Sequence, residues 1–326
     1  MLQVLKRFAI GMTLLIAALW AGNSSSLVSG LEQHKTRLIA HRGVHQIYVG
    51  ADRSNSACHA APVAPLRHNF IENTLPSMKE AFRLGADVVE IDVHLTTDRI
   101  FAVFHDWTVD CRTDGTGVTR QQRFADLAML DIGYHYDDGS ETYPLRGRGV
   151  GLMPSLEQVF DQNSTGAFLI NFKSRRREDG LALATLLDNP RHLSQVYGVY
   201  GGDAPTQAAI AQVPNLRGFG RMSLRTCLLH YAVSGWSGYM PPSCHNTIVL
   251  IPQNYAPLLW GWPHRLTRRF KAVGTDVILV GPYDGSGFAS GIDNATTFDK
   301  VPVAFDGYIW TNRIEVIGPL HAVNRN

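Results

Sequence analysis

The stretch that most restricts what this chain can become is residues 86–106, where two apolar segments flank a polar turn at 96–99. Glu90 and Asp92 stand two apart in the first segment, among Val88, Val89, Ile91 and Val93. In an extended strand, residues i and i+2 point to the same side, so both carboxylates aim at one place. Burying two carboxylates together is costly unless a cation compensates them, and an oxygen-only donor pair suits a divalent metal. The plainer alternative is an edge strand with one wet face, which the surrounding aliphatic residues argue against. The second segment ends on His105 and Asp106.

The chain has 326 residues, 45% of them hydrophobic, which is enough for one large core. Short apolar runs at 37–40, 168–173, 195–200, 216–219, 277–280 and 307–310 read as strands. With the Glu90/Asp92 strand and the His105 strand they make eight, and helical patterns lie between most of them. Alternating strands and helices imply parallel pairing, and eight suggest an α/β fold closed into a (β/α)8 barrel, which takes about 250 residues. The expected barrel domain is 36–320, with loop insertions near 44–70 and 223–269. Residues 44–70 are long for a strand-to-helix loop and read as a functional or capping insertion. Leu75, Met78 and Phe82 recur at helical spacing after Thr74, a plausible N-cap, with Pro76 in the first turn. Ser155 reads as a cap near the start of another helix.

The N-terminus reads separately from the fold. Lys6 and Arg7 precede an apolar run over 8–21, and a polar Gly/Asn/Ser run follows. Residues 1–30 are therefore expected to be a signal peptide or a membrane anchor plus linker, with the remainder exported, either secreted or anchored outside the cytoplasm. Four cysteines suit an oxidising compartment; of the three possible pairings, Cys227 with Cys244 is the most natural, and a zinc site on Cys58 with His45, His59 or His68 lacks a standard ligand spacing. A net charge of +2 with no basic stripe gives no sign of a nucleic-acid partner. Trp236, Tyr239, Tyr255, Trp260 and Trp262 stand near His264, Arg265, Arg268 and Arg269. Such a mixture, above all over 255–269, suits either a membrane interface or a packed loop. Arg175, Arg176 and Arg177 read as a solvated loop, with an anion-attracting rim the lesser reading.

His41-Arg42-Gly43 closes the first strand, and polar residues at the C-terminal end of a buried strand are where barrel enzymes keep their chemistry. Glu72-Asn73 stands on the same rim, and Asn171 and Lys173 repeat the i, i+2 geometry of Glu90 and Asp92. His41-Arg42-Gly43, Glu72-Asn73-Thr74, Glu90-Ile91-Asp92 and His105-Asp106, in that order with Thr97-Asp98 between the last two, resemble the glycerophosphodiester phosphodiesterase family. The likeness is specific over residues 37–117 and thins to Asn171, Lys173 and the closing run 306–312.

That resemblance implies a (β/α)8 barrel in which His41 and His105 are the general acid and base. Glu90 and Asp92 would hold one divalent cation, Ca2+ or Mg2+, with Asn171 at the position of a third carboxylate ligand. Arg42 and Lys173 would contact the phosphate, and Glu72 and Asn73 would support the site. An amide at 171 carries no charge, so metal affinity is expected to fall or its preference to shift. The implied reaction is metal-dependent hydrolysis of a small-molecule or lipid phosphodiester, a glycerophosphodiester or a lysophospholipid, to an alcohol and a phosphomonoester. Either histidine suits either role, and the nucleophile is a metal-bound water or a substrate hydroxyl. The alternatives are a sphingomyelinase-D-like or lysophospholipase D activity through a cyclic phosphate, and a non-catalytic barrel that binds phospholipid headgroups.

Overall fold

The structure is a computed structural model that describes residues 2–25, 36–50, 58–139, 142–163, 166–285 and 290–324. The end of the expected N-terminal linker, within 26–35, and part of the expected insertion, 51–57, lie outside the described residues. The strands are β1 (Arg37–His41), β2 (Val88–Leu95), β3 (Phe101–Val103), β4 (Ala167–Phe172), β5 (Val196–Gly201), β6 (Gly218–Phe219), β7 (Ile248–Pro252), β8 (Asp276–Val280) and β9 (Tyr308–Thr311). They hydrogen-bond in the order β6-β5-β4-β2-β1-β9-β8-β7, and every neighbouring pair on that path is parallel. The seam between β6 and β7 is bridged by the Thr247 hydroxyl, which donates to the Gly218 carbonyl at 2.8 Å, so the eight strands form a nearly closed barrel.

The expected number of barrel strands holds, but its membership changes. The strand leading to His105 is β3, which pairs antiparallel with β2 as a hairpin arm outside the barrel. The turn at 96–99 is too short for a crossover helix and allows only antiparallel return. The missing barrel strand is β7, inside the stretch expected to be an insertion over 223–269. That stretch supplies regular parts of the barrel, the helix Arg221–Ser234, β7 and the helix His264–Ala272. Its Trp and Tyr content hid the short aliphatic run of β7.

Alternation along the strands sorts the side chains. Ile39, Val88, Leu169, Phe219, Ile248 and Ile278 form a buried cluster inside the barrel. Leu38, Ala40, Val89, Ile91, Val93 and Ile170 face outward against the helices. Two residues beyond the inner apolar layer, the same faces carry His41, Glu90 and Asn171. Register places His41 opposite Glu90 and Asp92 opposite Asn171, so the polar groups form a layer at the C-terminal ends of the strands. A second apolar cluster, including Ala60, Val63, Phe104, Val109, Tyr136 and Leu145, lies under the loops that cap this end.

Candidate active site

His41 ends β1, and the chain then turns sharply. Arg42 has φ of 57° and Gly43 φ of 78°, both in the left-handed region. A Cβ on Gly43 would meet the Ser77 hydroxyl at 2.3 Å, so only glycine lets the turn pack on the helix Leu75–Arg83. That helix starts as its sequence predicts, with the Thr74 side chain capping Ser77 N–H. The residues just before its N-cap, Glu72 and Asn73, lie against Arg42. Asn73 is also left-handed, at φ 58°. Non-glycine residues held there cost roughly 1 kcal/mol or more each, a strain that collects at functional sites.

Around these turns the charges interlock. Arg42 reaches Glu72 Oε1 at 3.0 Å and Asp92 Oδ2 at 3.3 Å. Asn73 Nδ2 donates to Asp92 Oδ2 at 3.0 Å, and Asn171 Nδ2 donates to Asp92 Oδ1 at 2.9 Å. Lys173 Nζ lies 3.5 Å from the same oxygen. Burial alone would raise Asp92, but Lys173, His105 and Arg42 together hold it well below the usual carboxylate range. Glu90 behaves oppositely. Burial, then the Asp92 charge, pushes it up to about 8, although Tyr200 donates its hydroxyl to Oε1 at 2.7 Å.

The two imidazoles are oriented by different partners. His41 Nδ1 lies 2.6 Å from Asn312 Oδ1. Asn312 donates its Nδ2 to Asp293 Oδ2 at 2.9 Å and its backbone N–H to Oδ1 at 2.7 Å. A carboxylate only accepts, so the Asn312 oxygen must face His41, and His41 carries its proton on Nδ1. Its Nε2 lone pair then accepts from Arg42 Nε at 3.0 Å. His105 Nδ1 instead lies 2.6 Å from Asp106 Oδ1, and Arg112 Nε donates to Asp106 Oδ2 at 2.7 Å. Arg112 is buried and also pairs with Glu72 Oε2 at 3.0 Å, and it donates to the Tyr136 hydroxyl. Burial, reinforced by the Arg42 charge, holds both histidines well below their ordinary value. Both rings are bound through Nδ1.

His41, Arg42, His45, Tyr48, His59 and Asp293 are among the residues that line a cavity of about 190 Å3. His45 sits edge-on to His41 at 5.6 Å, and His59 stacks on His105 at 5.5 Å. Of the site residues expected from sequence, the structure thus gathers His41, Arg42, Glu72, Asn73, Glu90, Asp92, His105, Asn171 and Lys173 into one layer. The suggested zinc site on Cys58 fails, because Cys58 is bonded to Cys111, leaving no thiolate. Sequence reasoning did not single out Arg112, Asp293, Tyr200, or the pairing of His45 and His59 with the site histidines. Only Asn312 left a signal, two residues after the inward Trp310. Arg112 stands alone in a turn-rich stretch.

Four carboxylates, Glu72, Glu90, Asp92 and Asp106, face three permanent cations, Arg42, Arg112 and Lys173. Glu90, raised by burial and then by the Asp92 charge, is the carboxylate of this set that most readily takes a proton. Among the described residues no three His, Cys, Asp or Glu side chains converge as a metal ligand set. Two carboxylates and the Asn171 amide are an oxygen donor set of the kind hard cations take, and a cation there would replace the proton. The residues fit a divalent ion.

Fold and site together define a (β/α)8 barrel with paired imidazoles in a cleft of buried cations and carboxylates at its C-terminal rim. Residues 59–181 match the model of the Glycerophosphoryl diester phosphodiesterase family. His41 and Arg42 lie before the matched stretch, and Asp293 and Asn312 after it. The glycerophosphodiester phosphodiesterase of Caldanaerobacter subterraneus subsp. tengcongensis is 34% identical over 105 residues, 32% of this chain and 40% of that protein. The glycerophosphodiester phosphodiesterase of Bacillus subtilis is 35% identical over 94 residues, 28% of this chain and 31% of that protein. The chain therefore spans less than half the length of these curated relatives. Among solved structures, a glycerophosphoryl diester phosphodiesterase domain from Mycobacterium tuberculosis aligns with a TM-score of 0.62 at 15% identity, over 89% of this chain and 100% of that one. An Oleispira antarctica phosphodiesterase in complex with the product sn-glycerol-3-phosphate aligns at 0.53 and 19% identity, over 90% of this chain and 98% of that one. These last two likenesses concern the fold.

Proposed function

We propose that this protein is a phosphoric diester hydrolase that cleaves glycerophosphodiesters to an alcohol and a phosphomonoester. The observation that carries the reading is the pair of imidazoles, both held through Nδ1 beside the same buried Arg42 and Asp92. A phosphodiester is an anion whose cleavage needs a base for the nucleophile, an acid for the leaving alkoxide and positive charge on the non-bridging oxygens. Arg42 and Lys173 supply fixed positive charge to the phosphate, and Glu72 and Asn73 hold Arg42 and Asp92 in place.

The backing of each ring assigns the two roles. Asp106 stabilises an imidazolium on His105, so His105 is the group that carries the proton to the leaving oxygen. Asn312 offers His41 only an amide, so His41 keeps its Nε2 lone pair and takes the proton of the nucleophile. The bond that forms joins the nucleophilic oxygen to phosphorus and the P–O bond to the alcohol breaks; His41 takes the nucleophile's proton on Nε2, and His105, entering as the imidazolium, gives its Nε2 proton to the leaving oxygen, so one proton is taken up as one is released. Glu90, Asp92 and Asn171 would hold a Ca2+ or Mg2+ ion, which supplies charge neutralisation at the phosphate oxygens. The two disulfides and the N-terminal apolar helix support export from the cytoplasm.

The test is turnover of glycerophosphocholine and lysophosphatidylcholine with added Ca2+, added Mg2+ and a chelator. Hydrolysis that falls on the order of 10²-fold or more in His41→Ala and in His105→Ala supports the reading. Hydrolysis of neither substrate under any condition, or full activity in both variants, overturns it. A cyclic phosphate product would assign the nucleophile to the substrate's own hydroxyl.

A further inference from the structure

The helix Leu2–Asn23 carries its apolar side chains outward. Val4 is 70% exposed, Phe8 68% and Leu14 64%. Its 22 residues extend about 33 Å at 1.5 Å per residue. That matches a bilayer hydrocarbon core of about 30 Å. These properties alone fit a cleaved signal sequence as well as an anchor, and the contacts of residues 20–25 separate the two.

Trp20 donates its indole N–H to the Pro257 carbonyl at 3.1 Å, and Asn23 Nδ2 donates to the Trp236 carbonyl at 2.7 Å. Arg265 donates to the Gly22 carbonyl at 2.9 Å and to the Asn23 carbonyl at 3.2 Å, the groups a helix C-terminus leaves unpaired. Arg269 donates to Asn23 Oδ1 at 3.0 Å. Ser25 is 1% exposed and joins the barrel more deeply. Its N–H donates to the Trp262 carbonyl at 2.9 Å. Its hydroxyl accepts from the backbone N–H groups of His264 and Arg265 at 2.9 and 3.2 Å. Those are the first residues of the helix His264–Ala272, whose own N-cap, Pro263, has no side-chain oxygen. Residue 25 thus supplies an N-cap to a barrel helix about 240 positions away in sequence.

We propose that the N-terminal helix stays in the mature protein as a single bilayer-spanning anchor whose C-terminal end is built into the barrel. Cleavage at any bond from residue 19 to residue 25 would cut the apolar helix off from Ser25, the residue that caps the barrel helix. The lipid surface then meets the barrel around that junction, where Trp236 is 49%, Tyr239 57% and Leu258 68% exposed, with Arg265 and Arg268 beside them. Exposed aromatic and basic side chains of this kind settle at the headgroup level, and Lys6 and Arg7 stand at the opposite, cytoplasmic end.

The experiment uses the full chain, expressed in cells that export it. Membranes are washed with alkaline carbonate and the protein's intact mass is taken. The expected result is a pelleted chain that retains residues 2–25; a soluble chain beginning at or beyond residue 25 overturns the proposal. Hydrogen exchange on the detergent-solubilised chain reads the junction directly. The Ser25 amide should be protected, and Arg265→Ala with Arg269→Ala should speed exchange over 20–25 at least tenfold while strand amides keep their rates. Exchange of 20–25 in the unaltered chain at the rate of an unfolded peptide contradicts the built-in junction. In vesicles of brominated phosphatidylcholine, Trp236→Phe should remove part of the quenched tryptophan fluorescence; an unchanged quenched fraction overturns the seating of that face on lipid.

Discussion

Glu90 and Asp92 lie on one strand face, both fully buried, yet they titrate in opposite directions. Asp92 takes most of the available donors, and Glu90 keeps a proton up to about pH 8. A cation entering this pair must displace that proton. Its affinity should therefore rise close to tenfold per pH unit from pH 6 toward 8 and then level off, as isothermal titration with Ca2+ or Mg2+ would record. An affinity flat across that range would mean that Glu90 is already ionised. Asn171→Glu adds the charge this site lacks at its third position and should tighten cation binding by about tenfold or more. Glu90 with Asp92 and Asn171 with Lys173 were legible in the sequence through a strand's two-residue period, and His41, Arg42 and His105 through the motifs that carry the family resemblance. Asp293 and Arg112 were not, since they come from irregular segments and act on the histidines through Asn312 and Asp106. Their effect is measurable all the same. Asp106→Asn should lower kcat on the order of 10²-fold or more and move the alkaline limb of the pH profile to lower pH. Losing the carboxylate lowers the pKa of His105, so the proton it must donate is lost sooner.

At the scale of elements, the capping layer over the C-terminal rim decides how firmly His105 is held. The Asp131 carboxylate accepts three backbone N–H groups, from Gly133 at 3.0 Å, Gly147 at 2.5 Å and Gly149 at 3.0 Å. It thereby folds the loop that carries Tyr136 onto Arg112. Asp131→Ala leaves those donors without their acceptor and should cost about 2–4 kcal/mol, read as a lower denaturation midpoint, with a fall in kcat as Arg112 loosens. The disulfides divide along similar lines. Cys58–Cys111 joins the neighbour of His59 to the neighbour of Arg112, whereas Cys227–Cys244 joins the helix Arg221–Ser234 to the turn before β7. Paired serine replacements should each cost about 2–4 kcal/mol of stability, but only the Cys58/Cys111 pair should also depress kcat. Cys227 with Cys244 was the natural pairing from sequence, and the structure contains it. The antiparallel β3 was misread because a short apolar arm passes for a barrel strand, and β7 because the Trp and Tyr around it hid its aliphatic run.

For the whole molecule, helix alternation was visible along the chain, and the count of eight held because the hairpin arm β3 stood in for the unread β7. What the sequence could not reveal was the long-range closure. Ser25 capping a helix that begins at residue 264, and Asp293 reaching back through Asn312 to residue 41, are contacts between distant segments with no local periodicity. If two differently backed imidazoles drive hydrolysis at phosphorus, 31P NMR of glycerophosphocholine turnover in 18O-enriched water reads it in the product. The expected product is a phosphomonoester whose phosphorus signal carries the 18O isotope shift, formed directly or through a cyclic phosphate, and on the order of 10²-fold less of it from His41→Ala or His105→Ala. A label found only in the released alcohol, which would mean cleavage at carbon, or undiminished product from both variants, would contradict it.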